Sequence, residues 1–242
     1  MNSGWFSRWK ANRQDIENYP MMNCRLISFS LGLHYLQDGS ITVVDVGCGF
    51  SDFASQVQEK NPMAVTYYLD GNPDTVEKLR MQGYNAQIYH APERLPFDNG
   101  QIEFIHCSHL IEHLQPQELY LLLQEINRTL AVQGVLVFSA PTLWEGFYDD
   151  LSHVRPYPVS VLDTYLTPGP NEVSNTRRHV SQFRREALFY RYEKFPIFSY
   201  HGLRGDPGFM DIIVLGIKKA LTSIGIYRLT TTGYTAIYRK LY

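Results

Sequence analysis

The most informative stretch of this 242-residue chain is Val43-Val44-Asp45-Val46-Gly47-Cys48-Gly49-Phe50. Residues 41–46 form a short β-branched run, which predicts a buried strand. Residues 51–60 predict a helix with Ser51 as its N-cap. Glycines between the two let the backbone adopt positive φ and approach a ligand closely. The junction therefore predicts a ligand site at the carboxyl end of a strand.

A second polar signal follows the next predicted strand, at residues 65–69, where the chain reads Leu69-Asp70-Gly71-Asn72. A carboxylate in that position accepts both hydrogen bonds of a ribose diol, as it does in dinucleotide folds. A nicotinamide site is the competing interpretation, but its fingerprint requires a third glycine where this chain has Asp52. A glycine turn that binds no ligand is the remaining alternative.

Strands and helices alternate through the middle of the chain, which favours an α/β fold with a parallel sheet covered on both faces. Further strands are predicted at 86–89, 102–107, 135–139, 193–200 and 227–238, and helices at 73–81, 116–131 and 209–224. The predicted division is a helical lead-in over 1–40 and one domain over 41–242. Long irregular segments inside a domain are often functional, so the proline-rich insertion at 141–190 is predicted to be a substrate cap.

The composition of the chain limits which classes of function and which cell compartments are expected. The formal net charge is -2, from 22 basic and 24 acidic residues, so no general attraction to nucleic acid is expected. Cys24, Cys48 and Cys107 are odd in number and lack metal-type spacing, which predicts reduced thiols, a cytoplasmic protein and no metal site. The charged N-terminal residues are atypical of a signal peptide, and no stretch predicts a bilayer-spanning helix.

Four motifs together resemble the class I S-adenosylmethionine-dependent methyltransferases, over roughly residues 40–140. They are Asp45-Val46-Gly47-Cys48-Gly49, Leu69-Asp70, Leu95-Pro96-Phe97 and Leu110-Ile111-Glu112-His113-Leu114. Within that class the chain is similar to the small-molecule or saccharide branch, which carries an LPF…LEH signature. The resemblance implies a Rossmann-like methyltransferase fold: a doubly wound, seven-stranded, mostly parallel sheet whose last strand is antiparallel. It also implies S-adenosylmethionine as the cofactor.

The resemblance implies that the backbone of residues 47–49 meets the methionine moiety and that Asp70 holds the ribose. Residues 91–95 would flank the adenine. The implied cofactor-binding set is Asp45, Gly47, Cys48, Gly49, Asp70, Gly71, Asn72, Pro92, Glu93 and Ser108. Family members commonly have aspartate where this chain has Ala91, and a backbone N–H where Pro92 has none. Either Glu93 compensates for these departures or cofactor affinity is lower.

A second informative stretch, residues 148–157, follows the fifth predicted strand, where methyltransferases place substrate contacts. It resembles a segment found in family members that act on sugars and on lipid- or polyketide-linked acceptors. The implied substrate-contacting residues are Tyr148, Arg155 and Tyr157.

Two histidines are candidate catalytic residues. Histidine is a suitable base for a hydroxyl because its pKa lies near neutrality, and His153 is the first candidate, oriented by Asp149 or Asp150. The alternative is that His153 pins the loop to the fold. His109, which follows the fourth strand, is the second candidate, and its alternative is packing under the next helix.

The sequence thus predicts O-methylation of a small-molecule or saccharide acceptor. Two alternatives remain open: a non-catalytic cofactor-binding or regulatory protein of the same fold, and an N- or C-methyltransferase. No nucleic-acid partner is expected. The apolar helix at 209–224 suits docking or a homodimer better than contact with a membrane surface.

Overall fold

The computed structural model describes residues 30–49, 53–167, 178–180, 183–195, 209–223, 226 and 228–242. The strands are β1 (Thr42–Val46), β2 (Val65–Asp70), β3 (Asn85–Ile88), β4 (Ile102–Ser108), β5 (Leu130–Pro141), β6 (Phe183–Phe195) and β7 (Arg228–Lys240). The helices are α1 (Phe53–Lys60), α2 (Pro73–Met81), α3 (Pro116–Thr129), α4 (Val159–Leu166) and α5 (Phe209–Ser223). Short 3₁₀ turns occupy Ile111–His113 and Phe147–Asp149.

All seven strands form one sheet in the order β3-β2-β1-β4-β5-β7-β6. Strands β1 to β5 are parallel to one another, whereas β7 is antiparallel to both β5 and β6. The predicted seven-stranded, mostly parallel sheet is confirmed. Chain order reverses between β1 and β4, and in open α/β sheets ligands bind beyond the carboxyl ends of the strands at such a switch point.

The central strands are apolar because helices cover both of their faces. Val43, Val44 and Val46 of β1 are fully buried. Helix α3 packs one apolar stripe on the sheet, since its buried residues Leu119, Leu122, Leu123 and Ile126 recur every three or four positions. Its start is fixed by Pro116 and by the Glu118 carboxylate, which accepts the Gln115 N–H at 2.6 Å.

Several boundaries differ from the sequence prediction, and two of the differences have a clear cause. Helix α3 ends at Thr129 instead of 131, because Leu130 already pairs with Ile102 as the first residue of β5. The sixth strand was expected at 193–200, but β6 occupies Phe183–Phe195 and pairs along its length with β7. Consecutive charged residues, Arg184 to Glu186, break the alternation in this edge strand and hide it from a hydrophobicity pattern.

Residues 183–190 therefore belong to the sheet, although the sequence grouped them with the insertion at 141–190. Most of the expected N-terminal lead-in, and the Ser51 N-cap, lie outside the described residues. Among the helices that the structure describes, none combines the length and apolarity needed to cross a bilayer.

Candidate cofactor and acceptor site

The turn after β1 is locked against β2. The Gly47 and Cys48 N–H groups both donate to the Leu69 carbonyl, at 2.8 and 3.2 Å. Gly47 has φ +71°, and a Cβ placed on it would lie 3.1 Å from Cβ of Leu110. Both the conformation and the space therefore require glycine here. The turn brings its backbone to the switch point, as the sequence predicts.

Asp70, the last residue of β2, connects this turn to the start of α2. Its Oδ2 accepts the Gly49 N–H and its Oδ1 accepts the Asn72 N–H, each at 2.8 Å. Asn72 in turn caps α2 by accepting the Asp74 N–H at 2.9 Å. A carboxylate has about four lone-pair positions, and Oδ2 also lies 4.0 Å from the Cys48 thiol, a weak donor, so capacity for a ligand hydroxyl remains on both oxygens. The side chain is only partly buried, and this arrangement fits the two hydroxyls of a ribose.

The loop after β3 is closed on itself. The Glu93 N–H donates to the His90 carbonyl at 2.8 Å, and the Tyr89 hydroxyl donates to the Glu93 carbonyl at 2.9 Å. Pro92 has no N–H. Neither Pro92 nor Glu93 therefore offers a free backbone donor to an adenine, and the exposed Glu93 carboxylate is the polar group left there.

The next loop, Leu95-Pro96-Phe97, is clamped by an ion pair on α3 that sequence reasoning did not identify. The Arg128 guanidinium donates to the carbonyls of Leu95 and Phe97 at 3.0 and 2.8 Å. The Glu125 carboxylate accepts the Leu95 N–H at 3.0 Å and pairs with Arg128 at 2.6 Å. The hydrogen bond from Arg128 lowers the pKa of Glu125. The i, i+3 spacing of Glu125 and Arg128 on one helix was the sequence signal that could have revealed this ion pair.

Asp45 was expected to contact the cofactor, but the structure commits its side chain to the interior. Its Oδ1 lies 2.7 Å from Nδ1 of His106 on β4, and both side chains are almost fully buried. The ring of Phe53 stacks on His106 with centroids 4.4 Å apart. A buried carboxylate needs a partner, so Asp45 joins β1 to β4 beneath the site. His106 was missed because its partner is distant in the sequence.

The end of β4 offers a buried hydroxyl at the switch point. Ser108 is 6% exposed, and its Oγ has no hydrogen-bond partner among the described residues. An unsatisfied buried hydroxyl is costly, so a polar ligand group suits this position. Burial raises the pKa of the neighbouring Cys107 thiol, which keeps it a neutral lining group.

His109 follows directly and is held in an unusual conformation. Its φ is +55°, its N–H donates to the Ser139 carbonyl at 2.8 Å, and its Nδ1 lies 3.0 Å from Oε1 of Glu112. The Glu112 side chain is buried, whereas that of His109 is 19% exposed. Left-handed φ at a residue other than glycine is often associated with function. The fold therefore places this ring at the carboxyl ends of β4 and β5, with its Nε2 atom buried.

The loop after β5 is fixed to the 3₁₀ turn after β4. The Glu112 carbonyl accepts the N–H groups of Val154 and Arg155 at 2.8 and 3.3 Å. His153 binds the Phe147 carbonyl through Nδ1 at 2.5 Å, and its Nε2 lies 4.0 Å from Oδ2 of Asp150. Asp150 is therefore the acidic neighbour of His153, and bonds from Ser152 lower the pKa of Asp150.

The three expected substrate residues have different surroundings. Tyr148 is 59% exposed and Arg155 is exposed, whereas Tyr157 is buried and donates its hydroxyl to the Leu114 carbonyl at 2.8 Å. The Arg155 guanidinium lies 5.4 Å from the centre of the Tyr157 ring. Both line a cavity of about 310 Å³ between α3 and α4, together with Tyr120 and Tyr165.

The sequence is similar to known methyltransferases in the region that forms this site. Residues 44–138 match a family described as a methyltransferase domain. Two Arabidopsis thaliana proteins are similar: probable methyltransferase PMT6 is 29% identical over 43% of this chain and 18% of its own length. Probable methyltransferase PMT28 is 31% identical over 40% of this chain and 14% of its own length. The matched region therefore spans less than a fifth of these curated relatives.

Solved structures show the same architecture. A SAM-dependent methyltransferase from Archaeoglobus fulgidus superposes with a TM-score of 0.59 at 19% identity, over 96% of this chain and 99% of that one. Phosphoethanolamine N-methyltransferase 2 of Haemonchus contortus, solved with S-adenosyl-L-methionine, gives 0.53 at 12% identity, over 89% and 52%. The fold of this chain is the Rossmann-like fold of class I methyltransferases.

Proposed function

We propose that this protein transfers a methyl group from S-adenosylmethionine to an oxygen of a small-molecule or saccharide acceptor. The observation that carries the proposal is the Asp70 carboxylate, held by the Gly49 and Asn72 N–H groups beside the glycine turn at the switch point. The methyltransferase-domain match over residues 44–138 supports the same cofactor.

The residues present fit that cofactor at its ribose and methionine ends. Asp70 would accept the ribose hydroxyls, the positive φ of Gly47 and Gly49 allows a close backbone approach, and the unsatisfied Ser108 hydroxyl at the end of β4 would serve the methionine end. When bound, S-adenosylmethionine supplies an electrophilic methyl carbon on a positively charged sulfur. The protein's task is then to position the acceptor oxygen in line with that carbon and to accept its proton.

His109 is the better placed of the two candidate bases. It directly follows β4, and the buried Glu112 carboxylate, 3.0 Å from its Nδ1, orients the ring and favours the tautomer with Nδ1–H. Nε2 then has the lone pair that takes the hydroxyl proton. His153 lies one loop away, with Nδ1 on the Phe147 carbonyl.

The acceptor proposal draws on the cavity between α3 and α4. Tyr120 and Tyr165 line it with their ring centroids 5.8 Å apart, and Arg155 and Tyr157 line it as well. Aromatic faces with one cation suit a sugar or aromatic ring that carries polar substituents.

A non-catalytic cofactor-binding role is the second candidate, and one observation favours it. Pro92 lacks an N–H, and the Glu93 N–H is already donated to His90. This loop therefore offers fewer contacts to adenine than family members commonly have. It supports a protein that binds the cofactor but has lost transfer activity.

The test is transfer of labelled methyl from S-adenosylmethionine to a panel of sugars, phenols and amines. We expect transfer to hydroxyl groups, and a roughly 100-fold fall in kcat for His109→Ala, with unchanged cofactor affinity. The exposed His34 provides the control: His34→Ala should retain full activity. Transfer only to amines would contradict oxygen methylation. Cofactor binding without any transfer would support the non-catalytic role.

A further inference from the structure

Three side chains with metal-ligand chemistry meet where the 3₁₀ turn after β4 touches the loop after β5. Glu112, His113 and His153 each offer one ligand atom, and these atoms all lie within 4.8 Å of one another. The two imidazole rings are 5.1 Å apart between centroids. The backbone fixes this approach, because the Glu112 carbonyl accepts the N–H groups of Val154 and Arg155, the two residues that follow His153.

Both imidazoles bind a backbone carbonyl through Nδ1, which leaves Nε2 for a metal. His113 binds the Ser152 carbonyl through Nδ1 at 3.1 Å, and His153 binds the Phe147 carbonyl through Nδ1 at 2.5 Å. A carbonyl oxygen only accepts, so each Nδ1 has the hydrogen and each neutral Nε2 has the lone pair. Metal-bound histidines usually donate their second ring N–H to a carbonyl or carboxylate in this way.

The third group, Glu112, is buried with one oxygen unsatisfied. Its residue exposure is 0%, and its Oε1 engages Nδ1 of His109. Its Oε2 has no hydrogen-bond partner among the residues that the structure describes. A buried carboxylate oxygen without a partner is destabilising, and a cation beside the two histidines relieves that cost.

We propose that Glu112, His113 and His153 bind one divalent transition-metal ion of the zinc class. Two imidazoles and a carboxylate select zinc, cobalt, nickel or iron over magnesium and calcium, which prefer oxygen ligands. Ligands at zinc distances lie about 3.3 Å apart, so the side chains close by up to about 1.5 Å on binding. Three protein ligands leave one coordination position for water or an acceptor oxygen.

This site goes beyond methyl transfer and does not depend on it. A metal on Nε2 of His153 removes that nitrogen from proton transfer, which leaves His109 as the base. The exposed Asp150, with Oδ2 4.0 Å from His153 Nε2, adds a second negative charge at the rim. The cysteines have no metal-type spacing, and the three proposed ligands lie on two separate segments, so spacing in the sequence does not reveal the site.

The test is calorimetric titration of the chelator-treated, dialysed full chain with zinc chloride, in the absence of S-adenosylmethionine. We expect one ion per chain. His113→Ala and His153→Ala should each weaken binding by at least about 100-fold, because even outer-shell partners contribute about 10- to 100-fold. Bound cobalt should give a visible absorption band that both variants lose.

His179→Ala is the matched control, since its Nδ1 also binds a backbone carbonyl, that of Thr164 at 2.8 Å, outside the cluster. It should bind zinc like the wild type. Zinc should also raise the unfolding temperature of the wild type and of His179→Ala, but not of His113→Ala. The proposal is overturned if the wild type binds no ion, or if the two histidine variants bind as tightly as the control.

Discussion

The Arg128 clamp gives the prediction that can be worked furthest from the structure. Arg128→Ala removes two charge-assisted hydrogen bonds, to the carbonyls of Leu95 and Phe97, and the ion pair with Glu125. Hydrogen bonds to charged groups contribute ~1.5–3 kcal/mol each. The Arg128 side chain is 20% exposed, so water replaces part of what is lost. We expect the free energy of unfolding to fall by about 2–4 kcal/mol.

Urea unfolding followed by circular dichroism measures this change. Arg94→Ala is the matched control, because it removes an exposed guanidinium from the same loop. The control should change stability by less than about 0.5 kcal/mol. If Arg128→Ala were as stable as Arg94→Ala, the clamp would have no energetic role and the reasoning would be refuted.

The same clamp predicts a pH dependence with a definite sign. Arg128 lowers the pKa of Glu125 in the folded protein, and an unfolded glutamate titrates near about 4.3. Its contribution is therefore fully present above that pH and is lost as the pH falls through the lower folded pKa. The stability difference between the wild type and Glu125→Gln should shrink correspondingly in acid, and a constant difference would contradict this assignment.

Two further substitutions test the switch point. Gly47→Ala should lose about 1–3 kcal/mol of stability because of its positive φ. The loss should exceed that of Gly83→Ala, because Gly83 has φ +88° but no atom within 4 Å of an added Cβ. Equal losses in thermal unfolding would rule out the contact with Leu110. Asp45→Ala should cost about 1–3 kcal/mol by leaving the buried His106 ring without its carboxylate partner, and a loss below about 0.5 kcal/mol in urea unfolding would show that the pair is not structural.

Much of the fold could be predicted from local patterns. The strand at β1 and the helix α2 have clear signals, namely a β-branched run before glycine and a proline at the first helical position. Helix α2 was predicted with the bounds it has, Pro73–Met81. Strand β6 was misplaced because its charged residues, Arg184 and Arg185 among them, follow edge-strand chemistry instead of a core pattern.

The candidate site also contains residues that local motifs predict and residues that they do not. Asp70 could be predicted because its partners, Gly49 and Asn72, sit in motifs recognisable from the sequence. The pairing of Asp45 with His106 spans 61 positions and exists only once β1 and β4 are adjacent. No spacing rule brings such residues together, so only the sheet topology reveals them.

The same limit applies to the histidine pair beyond the cofactor site. His113 and His153 come from the turn after β4 and the loop after β5, and they meet because those two strands are neighbours. From the sequence, His153 was predicted to be a base because it follows the fifth strand and the pKa of a histidine lies near neutrality. The structure supplies His113 and the buried Glu112, and with them a different role to test.

Calorimetric titration shows whether Asp70 holds the ribose of S-adenosylmethionine. The wild type should bind S-adenosylmethionine and its demethylated product at one site per chain. Asp70→Ala should weaken binding by roughly 10- to 100-fold, the equivalent of ~1.5–3 kcal/mol. Glu77→Ala, which removes an exposed carboxylate from α2, should bind like the wild type. Equal affinity in the wild type and Asp70→Ala, or no binding by the wild type, would contradict the account.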